Sequence, residues 1–139
     1  QLPFNILDRR YENLGVVKIL LQYPQILVIA RSTLLQGLLS KDAETWAMIR
    51  YDEAKKITAK LDELVVKFGR KNRVDLCFAF VRSQNWIDVI AVGMENKQQL
   101  AENLEIFELP PLSEDECRMV REQVSYTDDY LLNPALWPR

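Results

Sequence analysis

The sequence predicts an α/β fold with a parallel sheet, and three observations support this class. Residues 26–30 form a short apolar run rich in β-branched side chains, as expected of a strand buried on both faces. Residues 89–92 form a second such run, which Gly93 ends. Between the two runs, residues 45–68 carry apolar side chains at helical spacing. Because strands alternate with helical segments, the sheet is expected to be parallel.

The N-terminal quarter is less regular. Residues 1–5 are predicted to be extended, because the residue before Pro3 is steered away from helical geometry. Residues 6–14 then indicate a loop that enters a short helix. Residues 15–22 are apolar enough for a buried helix or a strand, and their length does not separate the two.

The central segment holds one long helical pattern and one ambiguous run. Residues 45–68 fit either one helix or two helices with a break near Tyr51, and Gly69 is the expected stop signal. Residues 74–83 contain β-branched and aromatic side chains that favour a strand. Their apolar positions also fit a buried helix.

Two further helices are predicted near the C-terminus. Asn96 can cap a helix over residues 97–107, with one apolar face formed by Leu100, Leu104 and Phe107. Ser113 and Glu116 match the capping box of a last helix. Residues 126–139 have no period and contain prolines, which indicates a coil tail.

Composition restricts the class of protein. The chain has 139 residues, of which 48% are hydrophobic and 27% charged, so one globular domain with a core is expected. The net charge of −2 does not favour nucleic acid or an anionic membrane as the main partner, and no apolar run approaches the roughly 20 residues of a membrane helix. The basic cluster at residues 67–73 is interpreted as a solvated helix end. Two cysteines, Cys77 and Cys117, indicate a reducing cytoplasm without disulfides.

Two absences bear on function. The chain has no histidine, which removes the commonest general acid–base and the commonest zinc ligand. It also begins without methionine, and we therefore expect a fragment.

Parallel α/β folds bind ligands where strands end, so residues 31–37 are the first candidate site. Two strands cannot form such a fold alone, so further strands must come from other chains or from residues 1–5 and 74–81.

Three motifs carry a resemblance to a known family. Residues 1–10 (QLPFNILDRR), 30–39 (ARSTLLQGLL) and 93–103 (GMENKQQLAEN) resemble the aldo/keto reductases, in particular a bacterial branch found beside surface-polysaccharide genes. The resemblance implies the C-terminal portion of a (β/α)8 TIM barrel over residues 1–125, followed by a tail over residues 126–139. Residues 26–30 and 89–92 would then be the seventh and eighth strands, and residues 74–83 a helix between them.

The resemblance also implies a cofactor site for NADP, with NAD possible. Gln1 would bind the nicotinamide carboxamide, and Arg31 would stack on the nicotinamide. The pyrophosphate would contact Ser32, Leu34, Gln36 and Gly37, and the adenosine end would contact Gln99, Glu102 and Asn103. The family often places basic residues near the 2′-phosphate at positions held here by Gly93 and Gln99, which leaves Lys97 as the only nearby cation.

The family's catalytic Asp, Tyr, Lys and His lie in the first half of the barrel, and no residue here matches them. The expected function is therefore cofactor binding within a reductase that transfers hydride to a small carbonyl substrate. The expected partner is the remaining half of the barrel, or another chain that covers the open sheet edge. The alternative is a non-catalytic half-barrel remnant or a protein-interaction module.

Overall fold

A computed structural model describes residues 1–124 and 129–138. Three short parallel strands form one sheet in the order β1, β2, β3: β1 is Leu2–Pro3, β2 is Ile29–Arg31 and β3 is Val89–Ile90. Leu2 pairs with Ala30, and Ile29 pairs with Val89. The predicted parallel α/β class is confirmed, and the extended N-terminal segment supplies a strand.

Both predicted strands are shorter than expected. The central strand begins at Ile29 because the preceding residues form a turn, in which the Ile26 N–H donates to the Tyr23 carbonyl at 2.9 Å. Leu27, expected to be buried, is 63% exposed. Strand β3 ends at Ile90, although the next N–H still donates to β2. Each apolar run is therefore longer than the segment that pairs with a neighbouring strand. The outer strands have only two residues each, and this limits the length of the pairing.

Helices connect and follow the strands. Their bounds are α1 Arg10–Asn13, α2 Val16–Leu20, α3 Ala43–Trp46, α4 Ala54–Lys67, α5 Arg73–Arg82, α6 Lys97–Glu108, α7 Glu114–Gln123 and α8 Asp129–Leu132. Single 3-10 turns occupy Leu38–Ser40, Ala47–Ile49 and Pro134–Leu136. The ambiguous N-terminal segment is thus helical where it is regular.

Of the two alternatives for residues 45–68, the structure has the break near Tyr51. Arg50 adopts a left-handed conformation with φ of 53°, which separates α3 and the 3-10 turn after it from α4. Gly69 follows α4 with φ of 61°, a conformation that glycine adopts without the steric cost of a Cβ. The glycine stop signal is therefore confirmed as well.

The ambiguous run at residues 74–83 is a helix, α5. Asn72 caps it by accepting the Asp75 N–H at 3.0 Å. Seven consecutive residues, 75–81, are buried, so the helix is enclosed on all sides. A helix enclosed in this way shows no polar face, which is why its sequence also fits a strand. The helix that the family resemblance implies is confirmed.

The predicted caps of the last two long helices are confirmed. Asn96 accepts the Gln99 N–H at 2.9 Å at the start of α6, and Ser113 and Glu116 form the capping box of α7. The predicted apolar face of α6 is only partly covered by the described residues, because Phe107 packs against Phe78 with ring centroids 5.3 Å apart while Leu100 is exposed. Leu104 is 59% exposed, whereas Ile106 is buried instead.

The C-terminal segment is more regular than predicted. Asp129–Leu132 form α8 and bury Leu131 and Leu132, so a coil is the wrong prediction for these residues. The Tyr130 hydroxyl donates to the Ile49 carbonyl at 2.7 Å, which fastens the segment beside α3. Residues 125–128 and 139 lie outside the described residues. The division of the chain at residue 125 remains a prediction.

The core lies between the sheet and α5. The Phe4 ring, directly after β1, packs edge-on against Trp86 with ring centroids 4.9 Å apart and stacks near Phe80 at 5.9 Å. Among the described residues, no helix is long and apolar enough to cross a membrane.

Candidate functional site

The loop after β2 has an unusual backbone. Ser32, Leu35 and Gln36 are left-handed, with φ of 60°, 47° and 57°, and Gly37 follows at 80°. Each non-glycine residue in this region costs about 1–3 kcal/mol and persists where the surrounding structure requires it. Strain of this kind is concentrated at binding sites, so the loop is a candidate for contact with a ligand.

A buried side chain from the neighbouring strand holds the loop. Asn5, which lies just after β1, donates from Nδ2 to the Ser32 carbonyl at 3.0 Å. Its Oδ1 accepts the Leu7 and Asp8 N–H groups at 2.9 and 2.8 Å. The amide is fully buried and uses both ends. The loop therefore begins at a position fixed by β1.

A cavity of about 870 Å³ opens beside this loop. Its walls come from the loop after β2, the segment after β3, one side of α6, and the connection between α4 and α5 together with the start of α5. Most of the residues predicted to bind the cofactor line it together: Ser32, Leu34, Gln36, Gly37, Gln99, Glu102 and Asn103. The structure thus unites two predicted segments that lie more than 60 residues apart in the chain.

The other two predicted residues lie outside the cavity. Gln1 is exposed before β1, and Arg31 is exposed at the end of β2. The Arg31 guanidinium donates from Nη1 to the Ser32 hydroxyl at 3.4 Å, a long contact in an exposed position. The predicted roles of Gln1 and Arg31 at the nicotinamide remain predictions.

The comparisons with known proteins identify the family. The aldo/keto reductase family matches residues 1–124. The chain belongs to this family. No curated protein sequence matches it.

Solved aldo/keto reductases share the fold of the chain. AKR11C1 from Bacillus halodurans, in its apo form, is 22% identical with a TM-score of 0.68, and the match covers 93% of this chain and 44% of that one. Its holo form is 23% identical, with a TM-score of 0.66 and the same coverage. The thermostable aldo-keto reductase Tm1743, in complex with the inhibitor epalrestat, is 22% identical with a TM-score of 0.62, covering 87% and 38%. The chain spans less than half the length of these structures, and the match confirms a barrel-type α/β fold.

The sequence analysis missed three polar residues of this candidate site. Thr33 lines the cavity and is buried, and its hydroxyl has no partner among the described residues. Lys41 and Lys71 also line the cavity, whereas Lys97 does not. The cavity is therefore lined by two cations that the sequence analysis did not consider. Lys41 lies just after the loop in sequence, but Lys71 approaches only through the fold.

The α6 wall is organised by short-range hydrogen bonds. The Gln99 side chain accepts the Glu95 N–H at 2.8 Å, which ties the start of α6 to the segment after β3. Gln98 donates from Nε2 to Glu102 at 2.9 Å. The Asn103 amide has no hydrogen-bond partner among the described residues, so both its donor and its acceptor are available to a ligand.

The Lys71 side of the cavity carries a network of charges. The Arg70 guanidinium donates twice to the buried Asp75 carboxylate, which also accepts the Lys71 N–H at 2.8 Å. The Lys71 ammonium donates to Glu105 on α6 at 2.8 Å. This hydrogen bond raises the pKa of Lys71 and lowers the pKa of Glu105, so both groups are charged at neutral pH.

Proposed function

We propose that this chain supplies the dinucleotide-binding part of an aldo/keto reductase that reduces a small carbonyl compound. The observation that carries the proposal is the cavity, which brings the loop after β2 and the predicted face of α6 together. A nicotinamide cofactor would supply the hydride, while the protein binds and orients it. The volume of the cavity, about 870 Å³, falls within the roughly 300–1,000 Å³ typical of ligand pockets.

The donors on the loop fit a pyrophosphate. Within the described part of the chain, the backbone N–H groups of Gln36 and Gly37 have no acceptor. The Ser32 hydroxyl and the Lys41 ammonium belong to the same wall of the cavity. Exposed N–H groups, a hydroxyl and a cation are the donors that bind phosphate oxygens. We therefore assign Ser32, Leu34, Gln36 and Gly37 to the pyrophosphate.

The face of α6 fits the adenosine end. Gln99, Glu102 and Asn103 are spaced by three and four residues, so they lie on one helical face, and all three line the cavity. Their amides and carboxylate match the hydroxyls and ring nitrogens of a nucleoside. Gln1 and Arg31 are assigned to the nicotinamide end, beyond the part of the cavity enclosed by this chain.

The reacting half of the site would come from the rest of a barrel. Among the described residues, the outer strands β1 and β3 each pair only with β2, and each therefore has an open edge. Apolar side chains are exposed beside this sheet and on α6, including Leu27, Val89 and Leu104. Open edges and exposed apolar surface favour a covering partner. We assign this role to the remaining barrel half, in a cytoplasmic protein whose Cys77 and Cys117 stay reduced.

Binding measurements on the expressed protein test the site. Replacing Ser32 or Asn103 by alanine removes a hydrogen-bonding group from the pyrophosphate or adenosine end. Each change should weaken NADPH and NADH binding, by roughly tenfold where the lost bond involves a charged group. Dissociation constants can be measured by the quenching of tryptophan fluorescence. Gln25→Ala is the control, because Gln25 is exposed and does not line the cavity.

The outcomes separate the reductase from its alternative. Normal affinity in both variants would remove the site assignment. Oxidation of NADPH with a panel of carbonyl compounds would support the reductase, together with an intact mass well above the 16.3 kDa of this chain. A mass equal to that value, without dinucleotide binding, would instead favour a non-catalytic remnant.

A further inference from the structure

Contacts near the C-terminal end of α6 join this helix to α5. The Phe107 ring packs against Phe78 with ring centroids 5.3 Å apart, and the Arg82 guanidinium lies 5.2 Å from the centre of the Phe107 ring. Arg82 also donates from Nη1 to the Leu109 carbonyl at 2.8 Å. The three residues of α6 assigned to the adenosine end of the cofactor precede these contacts in the helix. Their distance from α5 therefore depends on how the C-terminal end of α6 is fastened.

Arg70 joins the same end of α6 to the start of α5. Its Nη1 donates to the Pro110 carbonyl, two residues after α6, at 2.9 Å. Its Nε donates to the Asp75 carboxylate at 3.0 Å, and its Nη2 donates to the other oxygen of that carboxylate. The Asp75 side chain is fully buried, and the Arg70 side chain is 7% exposed. One buried guanidinium thus binds two elements through three of its nitrogen atoms.

Asp75 connects this guanidinium to the wall of the cavity. Its carboxylate accepts the Lys71 N–H at 2.8 Å, and its own N–H donates to the Asn72 side chain at 3.0 Å. Lys71 and Asn72 line the cavity, whereas Arg70 and Asp75 do not. The ion pair therefore lies outside the cavity and links the residues on its α5 side to the end of α6.

The Lys71–Glu105 ion pair joins the same two walls, but it is the weaker link. Both of its side chains are about half exposed or more. An exposed ion pair contributes little to stability, because water screens its charges and its long side chains lose conformational freedom. The buried Arg70–Asp75 pair is therefore the firmer connection between α5 and α6.

Arginine at position 70 has two effects that can be separated. It neutralises Asp75, and removing one partner of a buried ion pair leaves an uncompensated charge that destabilises the fold. It also spans Asp75 and Pro110 with one planar fork of donors. A lysine can supply the charge, but its single ammonium does not reproduce the geometry of that fork.

We propose that Arg70 is a positioning residue for the dinucleotide site: it sets the spacing between α6 and the start of α5, and thereby the fit of the cavity to the adenosine half of the cofactor. The inference rests on the proposed function and adds a residue that does not touch the ligand. It acts through Asp75 on one wall and through Pro110 on the other.

The test separates affinity from stability in the expressed protein. Arg70→Lys should retain most of the stability to urea, because an ammonium still neutralises Asp75. It should nevertheless weaken binding of ADP by roughly tenfold, the effect of losing one hydrogen bond to a charged group when the walls are misplaced. Arg70→Gln should lower both stability and affinity. Calorimetry at a temperature at which every variant is folded measures the affinity for ADP.

The control is Arg121→Gln, which breaks an ion pair with Glu12 away from the cavity. It should change the affinity for ADP by less than about twofold, whatever its effect on stability. Backbone hydrogen exchange, followed by mass spectrometry, adds a measurement that needs no ligand. Residues 97–108 should exchange faster in both Arg70 variants and at the original rate in Arg121→Gln.

The outcomes distinguish this inference from the proposed function. If the original protein binds ADP and the two dinucleotides, and Arg70→Lys binds ADP equally well, the inference is overturned and the proposed function stands. Unchanged exchange of residues 97–108 in both Arg70 variants would also overturn the inference, whether or not a dinucleotide binds. If the original protein binds neither ADP nor a dinucleotide, the proposed function is overturned together with the inference.

Discussion

Helices α5 and α6 follow consecutive strands and are of similar length, yet their environments are opposite. In α5, residues 75–81 are all buried, and Phe78 also reaches the cavity wall. In α6, Ile106 alone is buried, and Leu100 and Leu104 face outward. Both helices begin with an asparagine cap of the same geometry. The local signals for the two helices are thus alike, and their packing differs.

The two helices therefore contribute differently to the structure. Helix α5 stabilises the described core, and Lys71 lies just before its N-terminal cap at Asn72. Helix α6 contributes polar side chains to the cavity, while its Leu100 and Leu104 remain exposed among the described residues.

The largest effect is expected for a truncation in α5. Leu76→Ala removes a fully buried side chain and leaves a cavity in the core. It should lower the free energy of unfolding by about 2–5 kcal/mol. Urea denaturation of the expressed protein measures this loss. A loss below about 1 kcal/mol would mean that the core can collapse around the missing side chain.

The matched truncation in α6 tests whether this helix is as exposed in the expressed protein as it is in this chain. Leu104 is 59% exposed in this chain. If the remaining half of a barrel covers it, Leu104→Ala should cost about 1–2 kcal/mol. Val66→Ala on α4 is the control, because Val66 is 81% exposed and its loss should change stability by less than about 0.5 kcal/mol. Equal, small effects of both changes would argue against a covering half.

The two helices also show how far the sequence predicts the fold. The caps at Asn72 and Asn96 are local contacts within three residues, and the Asn96 cap was predicted from residue type alone. The conformation of residues 74–83 could not be predicted in this way, because complete burial removes the periodic signal. The family resemblance resolved it. The strand bounds were wrong because pairing length depends on the partner strands.

The candidate site also contains some residues that could be predicted from the sequence and others that could not. Residues 31–37 were predictable as a candidate site because they follow a strand, whereas Gln99, Glu102 and Asn103 were predicted only through the family resemblance. The individual contributions of Thr33 and Lys71 were not predicted, because one is identified by the burial of its hydroxyl and the other by an ion pair that spans 34 residues. The narrower bacterial branch of the family remains a prediction, as does the preference for NADP.

The smallest expected effect concerns the dependence of stability on pH, which follows from the complete burial of α5. Complete burial in α5 raises the pKa of the Cys77 thiol to about 12, from an ordinary value of 9.0. Above pH 9 the unfolded chain releases this proton while the folded chain keeps it, so the folded state loses stability as the pH rises. Each pH unit between the two pKa values corresponds to about 1.4 kcal/mol, so the loss from pH 7 to pH 10, one unit above the lower pKa, should be about 1.4 kcal/mol.

Urea denaturation at pH 7 and pH 10, under reducing conditions, measures this loss. Cys77→Ala removes the titrating group, while the other titrating groups of the chain stay in place. The difference in pH dependence between the two proteins therefore isolates the thiol. An identical loss of stability in the original protein and in Cys77→Ala would mean that α5 opens enough for Cys77 to ionise in the folded state. Helix α5 would then resemble α6 in its exposure to solvent.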